Sequence, residues 1–399
     1  MRLKVMPDDF RVREELSFDE VRDGDYFVHL LRKEKLDTQQ ALTRVARLAG
    51  VSREDLAFAG LKDRQGQTEQ WISIKGRRLD HAGKDLSVSF KGRTDCPISS
   101  QLSTGNRFEI VVRDLSQQDV DLILDNAELV ERDGLPNYFD DQRFGNLRHG
   151  QGFVMRDILR GDYEAALRAL LAQPSPKAIT GDVKLKRILA EHWGKWEVCG
   201  QVARGPVYQR VFRLLCERGD AFREALESLP ARNKLIHAFA YQSGLWNHAV
   251  DRMLHRMLPR RARVLLTTRV GRHAAWHFAS RGDSMKQLEG MHTPLYGPEG
   301  EGGAPEFREA AAEVLKEEGF EAGDFWRHRV RGMVLREEDR ALVVRPAGFE
   351  VSRAARDEAV RGRLKLALAF GLPRGSYATM VVKRLTASTG AGAKPRRSR

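Results

Sequence analysis

The two ends of this chain share a texture that its middle lacks, and that arrangement narrows the fold more than any single motif. Near the start, Asp25 to Lys33 (DYFVHLLRK) alternates as a strand does, and LAFAG and TEQWISIKG read as two more strands. NRFEIVVRD follows, with Phe108, Ile110 and Val112 on one side. Near the end, GRLKLALAFGLP alternates again, with Leu364, Leu366, Leu368 and Phe370 together. From about residue 153 to 345 the pattern is helical instead, in DYEAALRALLAQ, KLIHAFAYQSGLWNHAVDRMLHRML and EFREAAAEVLKEEGF, broken by the glycine-rich GPEGEGGAPE. Strands from both ends share one sheet only if the helical middle leaves it and returns. The expected class is α+β: a sheet domain from residues 1–152 and 346–388, an insertion domain at 153–345, and a disordered basic tail at 389–399.

Helices of the sheet domain carry their own punctuation. In LDTQQALTRVARLAG, Ala41, Leu42, Val45, Leu48 and Ala49 follow helical spacing, with Thr38 as expected N-cap and Gly50 just past the last turn. SQQDVDLILDNAELVERDG has Ser116 as cap, Gly134 as stop, and Val120, Ile123, Leu124, Ala127 and Val130 on one face. SYATMVVKRL reads as a last helix capped by Ser376, with Met380, Val381, Arg384 and Leu385 on neighbouring turns.

Composition excludes several classes. Cys96, Cys199 and Cys216 have no CxxC spacing, so neither a zinc ribbon nor a disulfide framework is indicated. No apolar run reaches the ~18 residues a membrane span needs, and MRLKVMPDDF lacks a signal-peptide core, so the expected setting is the cytoplasm with no membrane partner. The 68 Lys+Arg against 55 Asp+Glu leave a formal charge of +13, largely from arginine. Guanidinium forks match phosphate oxygens, which suits a polyanionic partner, and a solvated basic face accounts for the same charge equally well.

Cofactor motifs are missing. His273 and His277 in HAAWH have the i, i+4 spacing of a helical zinc pair, but Ala274 stands where HExxH needs glutamate, and no third ligand is evident. GPEGEGGAPE lacks GxxxxGK[ST], and neither a strand-GxGxxG-helix unit nor a GxSxG elbow occurs. Neither a metal nor a dinucleotide cofactor is expected, and nothing points beyond a monomer.

Two segments remain as candidate chemistry. In FAGLKDRQGQTEQWISI, Asp63 lies between Lys62 and Arg64 in a strand-to-strand loop. An acid there can close its own turn, but close cations also hold a carboxylate ionised, lowering its pKa by about 1 to 3 units. Such a group suits a nucleophile, an electrostatic stabiliser or a weak base. In LPNYFDDQRFG, Leu135 to Gly145, the residues Asn137, Tyr138, Phe139, Gln142, Arg143 and Phe144 combine aromatic faces with amides and a guanidinium. Those groups hold an unstacked base; the plainer reading puts Tyr138 and Phe144 in the core and Arg143 in an ion pair.

Together these segments resemble the TruD family of tRNA pseudouridine synthases. The family's AGxKDxxxxTxQ is matched by AGLKDRQGQTEQ and its NYFGxQRFG by NYFDDQRFG. LKVMPDDFRVREEL, GNRFEIVVRDL, AYQSGLWNHAV and LPRGSYATMVVKRL also match, in family order along nearly the whole chain. The resemblance implies a pseudouridine synthase core with a mixed, mainly antiparallel sheet, interrupted by the family's helix-rich α/β insertion, the TRUD domain. By motif match Asp63 is the catalytic aspartate, with Lys4 the basic residue near it. Phe139 is the aromatic that packs on the target base, and Asn137 is the active-site amide. Lys62, Arg64, Gln142 and Arg143 fall to RNA contacts. Asp140 stands where the family usually has glycine, and a need for positive φ there would rearrange the loop. The implied substrate is tRNA, and the implied target is uridine 13. The implied reaction is an isomerisation, so no cofactor is required, and attack on C1′ and abstraction of the 2′ proton both remain open. A non-catalytic RNA-binding role would leave function intact in Asp63→Ala; a methyltransferase would need the missing donor loop.

Overall fold

A computed structural model of the chain describes residues 1–388 except 61, 63–65, 146, 148–151, 175–179, 278–282, 298–301, 334 and 336. The elements begin with strands β1 (Phe10–Leu16) and β2 (Tyr26–Glu34), helix α1 (Thr38–Ala49), and strands β3 (Leu56–Phe58), β4 (Gln67–Lys75), β5 (His81–Ala82), β6 (Leu86–Thr94) and β7 (Ser103–Leu115). Then come α2 (Gln117–Asp133), β8 (Leu135–Pro136), α3 (Val154–Leu159), α4 (Tyr163–Ala172), α5 (Thr180–Glu191), α6 (Trp196–Val202), α7 (Pro206–Glu217), α8 (Phe222–Ser228) and α9 (Ala231–Met257). A hairpin of β9 (Arg263–Thr268) and β10 (Gly271–Trp276) precedes α10 (Asp283–Glu289), α11 (Pro305–Glu317), α12 (Asp324–Arg327) and β11 (Val343–Val344). The chain closes with β12 (Ala347–Val351), β13 (Ala355–Arg356), β14 (Leu364–Pro373) and α13 (Ala378–Leu385).

The chain divides into two compact units, Met1–Leu135 with Val344–Arg399, and Pro136–Val343. Sequence texture set the first boundary at 152, but the segment from Pro136 packs within the second unit. There the Phe139 backbone is bonded on both sides by Asn247 of α9, and the Tyr138 hydroxyl donates to the Ala274 carbonyl of β10.

In the first unit, one sheet of ten strands runs β12-β14-β7-β1-β4-β2-β6-β5, with β13 beside β14 and β3 on β4. β1 and β4 run parallel, while the other described pairings of this sheet are antiparallel, which is the mixed, mainly antiparallel sheet expected. β14, from the far end of the chain, lies against β7 with Leu366, Leu368 and Phe370 buried. α1 packs Ala41, Leu42, Val45, Ala46 and Ala49 onto Leu31, Ile72, Ile74, Leu86 and Val88; each fully buried Leu, Ile or Val contributes about 1.5–3 kcal/mol.

Helix ends follow capping chemistry, with two shifts from expectation. Ser116 caps α2 by accepting from the Asp119 amide, and Gly50 closes α1 in the left-handed region. The N-cap of α1 is Asp37, not Thr38, because a carboxylate accepting from Gln40 N–H also meets the positive end of the helix dipole. That frees the Thr38 hydroxyl for the candidate site. α13 starts after Tyr377 with no side-chain cap, so Ser376 does not cap it. Leu48 and Leu124 turn outward, 46% and 43% exposed.

The second unit is helix-rich around α9, whose Tyr241 and Trp246 are fully buried. HAAWH is not helical: His273 lies in β10. In extended backbone, His273 and His277 are about 13 Å apart, too far to share one ion.

Candidate active site

The AGLKDRQG loop leads into β4 of the first unit. Asp63 and Arg64 lie outside the described residues, but their neighbour Lys62 is fixed at both backbone and side chain. Its N–H donates to Thr38 Oγ1 at 2.9 Å, and its carbonyl accepts from Thr38 Oγ1 at 3.3 Å and from Lys33 Nζ at 3.5 Å. The Thr38 hydroxyl also reaches Gln70 Oε1 at 3.2 Å; its single proton serves one acceptor at a time. Lys62 Nζ meets Glu14 Oε1 at 2.5 Å, with the two side chains 10% and 1% exposed. The other Glu14 oxygen accepts from Trp71 N–H at 3.0 Å. The Lys62 ammonium is thus spent on an internal carboxylate rather than turned to an outside phosphate.

Gly66 ends the loop at φ +111°, where a Cβ would sit 2.4 Å from the Phe10 carbonyl oxygen, so only glycine fits. Lys4 is left-handed at φ 58°, with Nζ 4.1 Å from the centre of the Phe10 ring. Phe10 and Glu14 share one face of β1 about 13 Å apart, so Lys4 and Lys62 are drawn to its opposite ends. Across the exposed face of the sheet, register aligns Arg107, Arg13, Glu69 and Arg32 on adjacent strands. Arg13 and Arg32 share the Glu69 carboxylate at 2.8 Å each. This row borders an open cleft of about 440 Å³ that Arg11 and Lys84 also line.

In the second unit the NYFDDQRFG segment is a packed loop. Tyr138 and Phe144 are fully buried, as the plainer reading of the sequence has them. Phe139 is 2% exposed, with the Trp246 ring edge-on at 5.8 Å. Two guanidinium groups approach its ring, Arg340 at 3.7 Å and Arg143 at 5.3 Å from the centroid. Asn137 Oδ1 accepts from Arg340 Nη2 at 3.0 Å, and Asn137 Nδ2 donates to the Ala341 carbonyl at 3.2 Å. Gln142 is exposed. Among the described residues, positive φ outside glycine occurs at Lys4, Lys35 and Asp114, so Asp140 holds its buried position without the conformation a glycine would permit.

The structure therefore groups Asn137, Phe139 and Arg143, and adds Arg340, Trp246 and Asn247, which sequence reasoning missed. Glu14 and Thr38 were also missed. Glu14 carried a signal, since Phe10, Val12 and Glu14 fall on one strand face and a carboxylate in that phase needs a partner. Asn247 carried a weaker one, as an amide inside an apolar helix.

A family model described as tRNA pseudouridine synthase D (TruD) matches residues 1–385. The chain belongs to the TruD family. Members isomerise uridine to pseudouridine in tRNA, and this chain is accordingly an isomerase of tRNA modification. It is 30% identical, over 96% of its length and 91% of the relative's, to "Probable tRNA pseudouridine synthase D 2" of Methanocaldococcus jannaschii. To the tRNA pseudouridine synthase D of Aquifex aeolicus it is 29% identical, over 97% and 98% of the two chains. The crystal structure of the "Putative tRNA pseudouridine synthase D (TruD)" of Methanosarcina mazei superposes with a TM-score of 0.71 at 23% identity, covering 96% and 93% of the chains, which supports a TruD fold. Among the described residues, no helix is long and apolar enough to cross a membrane.

Proposed function

We propose that this TruD member converts uridine 13 of tRNA to pseudouridine, with Asp63 as nucleophile or base and no cofactor. The observation that carries the reading is a single family match running through both AGLKDRQGQTEQ and NYFDDQRFG. The first unit acts as the catalytic core and the second as the insertion domain. The enzyme works as a monomer in the cytoplasm.

The reaction breaks the N1–C1′ bond, turns the uracil and joins C5 to C1′; the C5 proton leaves and a proton returns to N1. Atoms and electrons balance without a donor or oxidant. The uridine first leaves its stack at a cost of about a few kcal/mol, which contacts to the surrounding RNA offset. Arginines of the sheet cleft, with Arg64, Gln142 and Arg143, supply such contacts. Phe139 holds the flipped ring and Asn137 reads its edge. Lys62, anchored through Thr38 and Glu14, aims the residue that follows it. Lys4 contributes positive charge near the aspartate, and its left-handed backbone is the kind of strain that collects at functional positions, costing on the order of 1–3 kcal/mol.

Asp63→Asn tests the assignment. It preserves shape but supplies neither carboxylate nucleophile nor base, so site-resolved mapping on tRNA transcripts should find no pseudouridine while tRNA binding persists. Substantial product from that variant, or product at another position only, refutes the corresponding part of the reading.

A further inference from the structure

Arg340 touches both residues assigned to the base, and its contacts are of different kinds. Its guanidinium lies 3.7 Å from the Phe139 ring centre and 5.0 Å from that of Trp246. Its Nε donates to the Asn137 carbonyl at 3.0 Å, and its Nη2 reaches both that carbonyl and Asn137 Oδ1. Its own carbonyl accepts from Thr293 Oγ1 at 3.0 Å, and the Thr293 carbonyl accepts from Trp246 Nε1 at 2.7 Å. Arg340 is thus tied at backbone and side chain to the packing beneath Phe139.

The two ends of an asparagine amide have the same shape and opposite chemistry. Arginine only donates, so the Asn137 atom facing Arg340 is Oδ1; the Ala341 carbonyl only accepts, so the atom facing it is Nδ2. Each neighbour independently sets the same orientation. One lone pair on Oδ1 and one N–H on Nδ2 remain, an acceptor beside a donor. Uracil presents the complement, an N3–H donor beside its O4 acceptor. Cytosine presents an N4 amino donor beside an N3 acceptor, and in the same pose would need the amide turned over.

We propose that Arg340 is a positioning residue that locks the Asn137 amide in the orientation that reads uracil and holds the Phe139 ring in register with it. This rests on the reading that Asn137 and Phe139 receive the target base. Lysine cannot replace Arg340, because a point charge on a flexible stem supplies neither the stacking plane nor the fork.

The test uses full-length enzyme, a tRNA transcript whose target uridine has been mapped, and a competitor transcript with cytidine at that position. Arg340→Ala should lower kcat about a hundredfold, the scale expected when catalytic groups are misplaced, while the tRNA Kd moves less than about twofold. Added ethylguanidinium should restore part of that kcat, which no purely structural loss would allow. Arg340→Lys should keep the wild-type melting temperature yet fall in kcat, and, with the Ala341 carbonyl left as the main orienting contact on the amide, the cytidine transcript should narrow the gap to the uridine one as a competitor without closing it. Wild-type kcat and uracil preference in Arg340→Lys overturn the proposal, as does a loss confined to tRNA Kd. Asn137→Ala and Phe139→Leu separate the layers: full turnover in both removes the underlying site reading, whereas turnover lost in both but kept in Arg340→Lys removes only the role of Arg340.

Discussion

Lys62 illustrates how a residue's sequence neighbours mislead about its partner. Adjacent to Asp63, it invites the inference that it neutralises that carboxylate, yet its ammonium is bonded to Glu14, more than forty positions earlier. Burying two charges costs several kcal/mol each unless both are fully engaged. Here Glu14 also takes the Trp71 amide, so neither of its oxygens is left bare. Glu14→Gln keeps the shape and strands the buried ammonium, and should cost about 3–5 kcal/mol in urea denaturation. The double variant Glu14→Gln/Lys62→Met should recover much of that. If Glu14→Gln costs no more than an exposed pair does, about 1 kcal/mol or less, the pair is not the anchor described. Asp63 was readable as a candidate because its motif is local; Arg340 was not, because nothing in REEDRALVV marks the arginine that reaches Phe139. The near-complete burial of Phe139 was equally invisible, and it means that truncating this ring removes core packing whatever else it removes.

Elements were read well where a period and a cap coincide. α2 and β14 match their sequence signals because an apolar face and its stop signals agree. The hairpin of β9 and β10 was overlooked inside a helical neighbourhood, although Val264, Leu266 and Thr268 alternate inward around the exposed Leu265. β2 holds a less visible feature: His29, fully buried, with the Phe90 ring edge-on at 5.7 Å and Nε2 accepting from Leu79 N–H at 3.0 Å. Only a neutral imidazole can accept there, and burial pushes the pKa of His29 down to about 4. With the folded value below the unfolded one, about 6.5, the unfolded chain binds the extra proton between them. The contribution of His29 is therefore complete above pH ~6.5 and is lost as pH falls toward about 4, a span worth on the order of 3 kcal/mol. Comparing urea midpoints at pH 7 and pH 5 should show wild type losing more stability than His29→Gln. Equal losses would mean that the ring is protonated without penalty.

At the scale of the whole molecule, the texture shared by the two chain ends foretold the insertion, while its borders depended on packing that no local pattern encodes. The interruption has a simple geometry within each unit. In the second, Asn137 N–H donates to the Leu342 carbonyl at 2.8 Å, so its two ends meet. In the first, Arg345 Nε donates to the Arg132 carbonyl at 3.0 Å, so the chain leaves and re-enters at neighbouring points. The ten-strand sheet, α1, α2 and α13 all belong to the first unit, including the β14 and β7 pairing that brings the C-terminal segment home. A unit with its own core and adjacent break points tolerates excision of what lies between them. Replacing residues 136–343 with a short Gly/Ser linker should accordingly leave a protein with strand-rich circular dichroism and a single cooperative urea transition. On the roles proposed for Asn137, Phe139 and Arg340, that protein should make no pseudouridine. A product with no cooperative transition would show that the first unit cannot fold without the second. Pseudouridine formed by it would instead show that the base is held entirely by residues of the first unit, and would return the search for the stacking aromatic to that sheet.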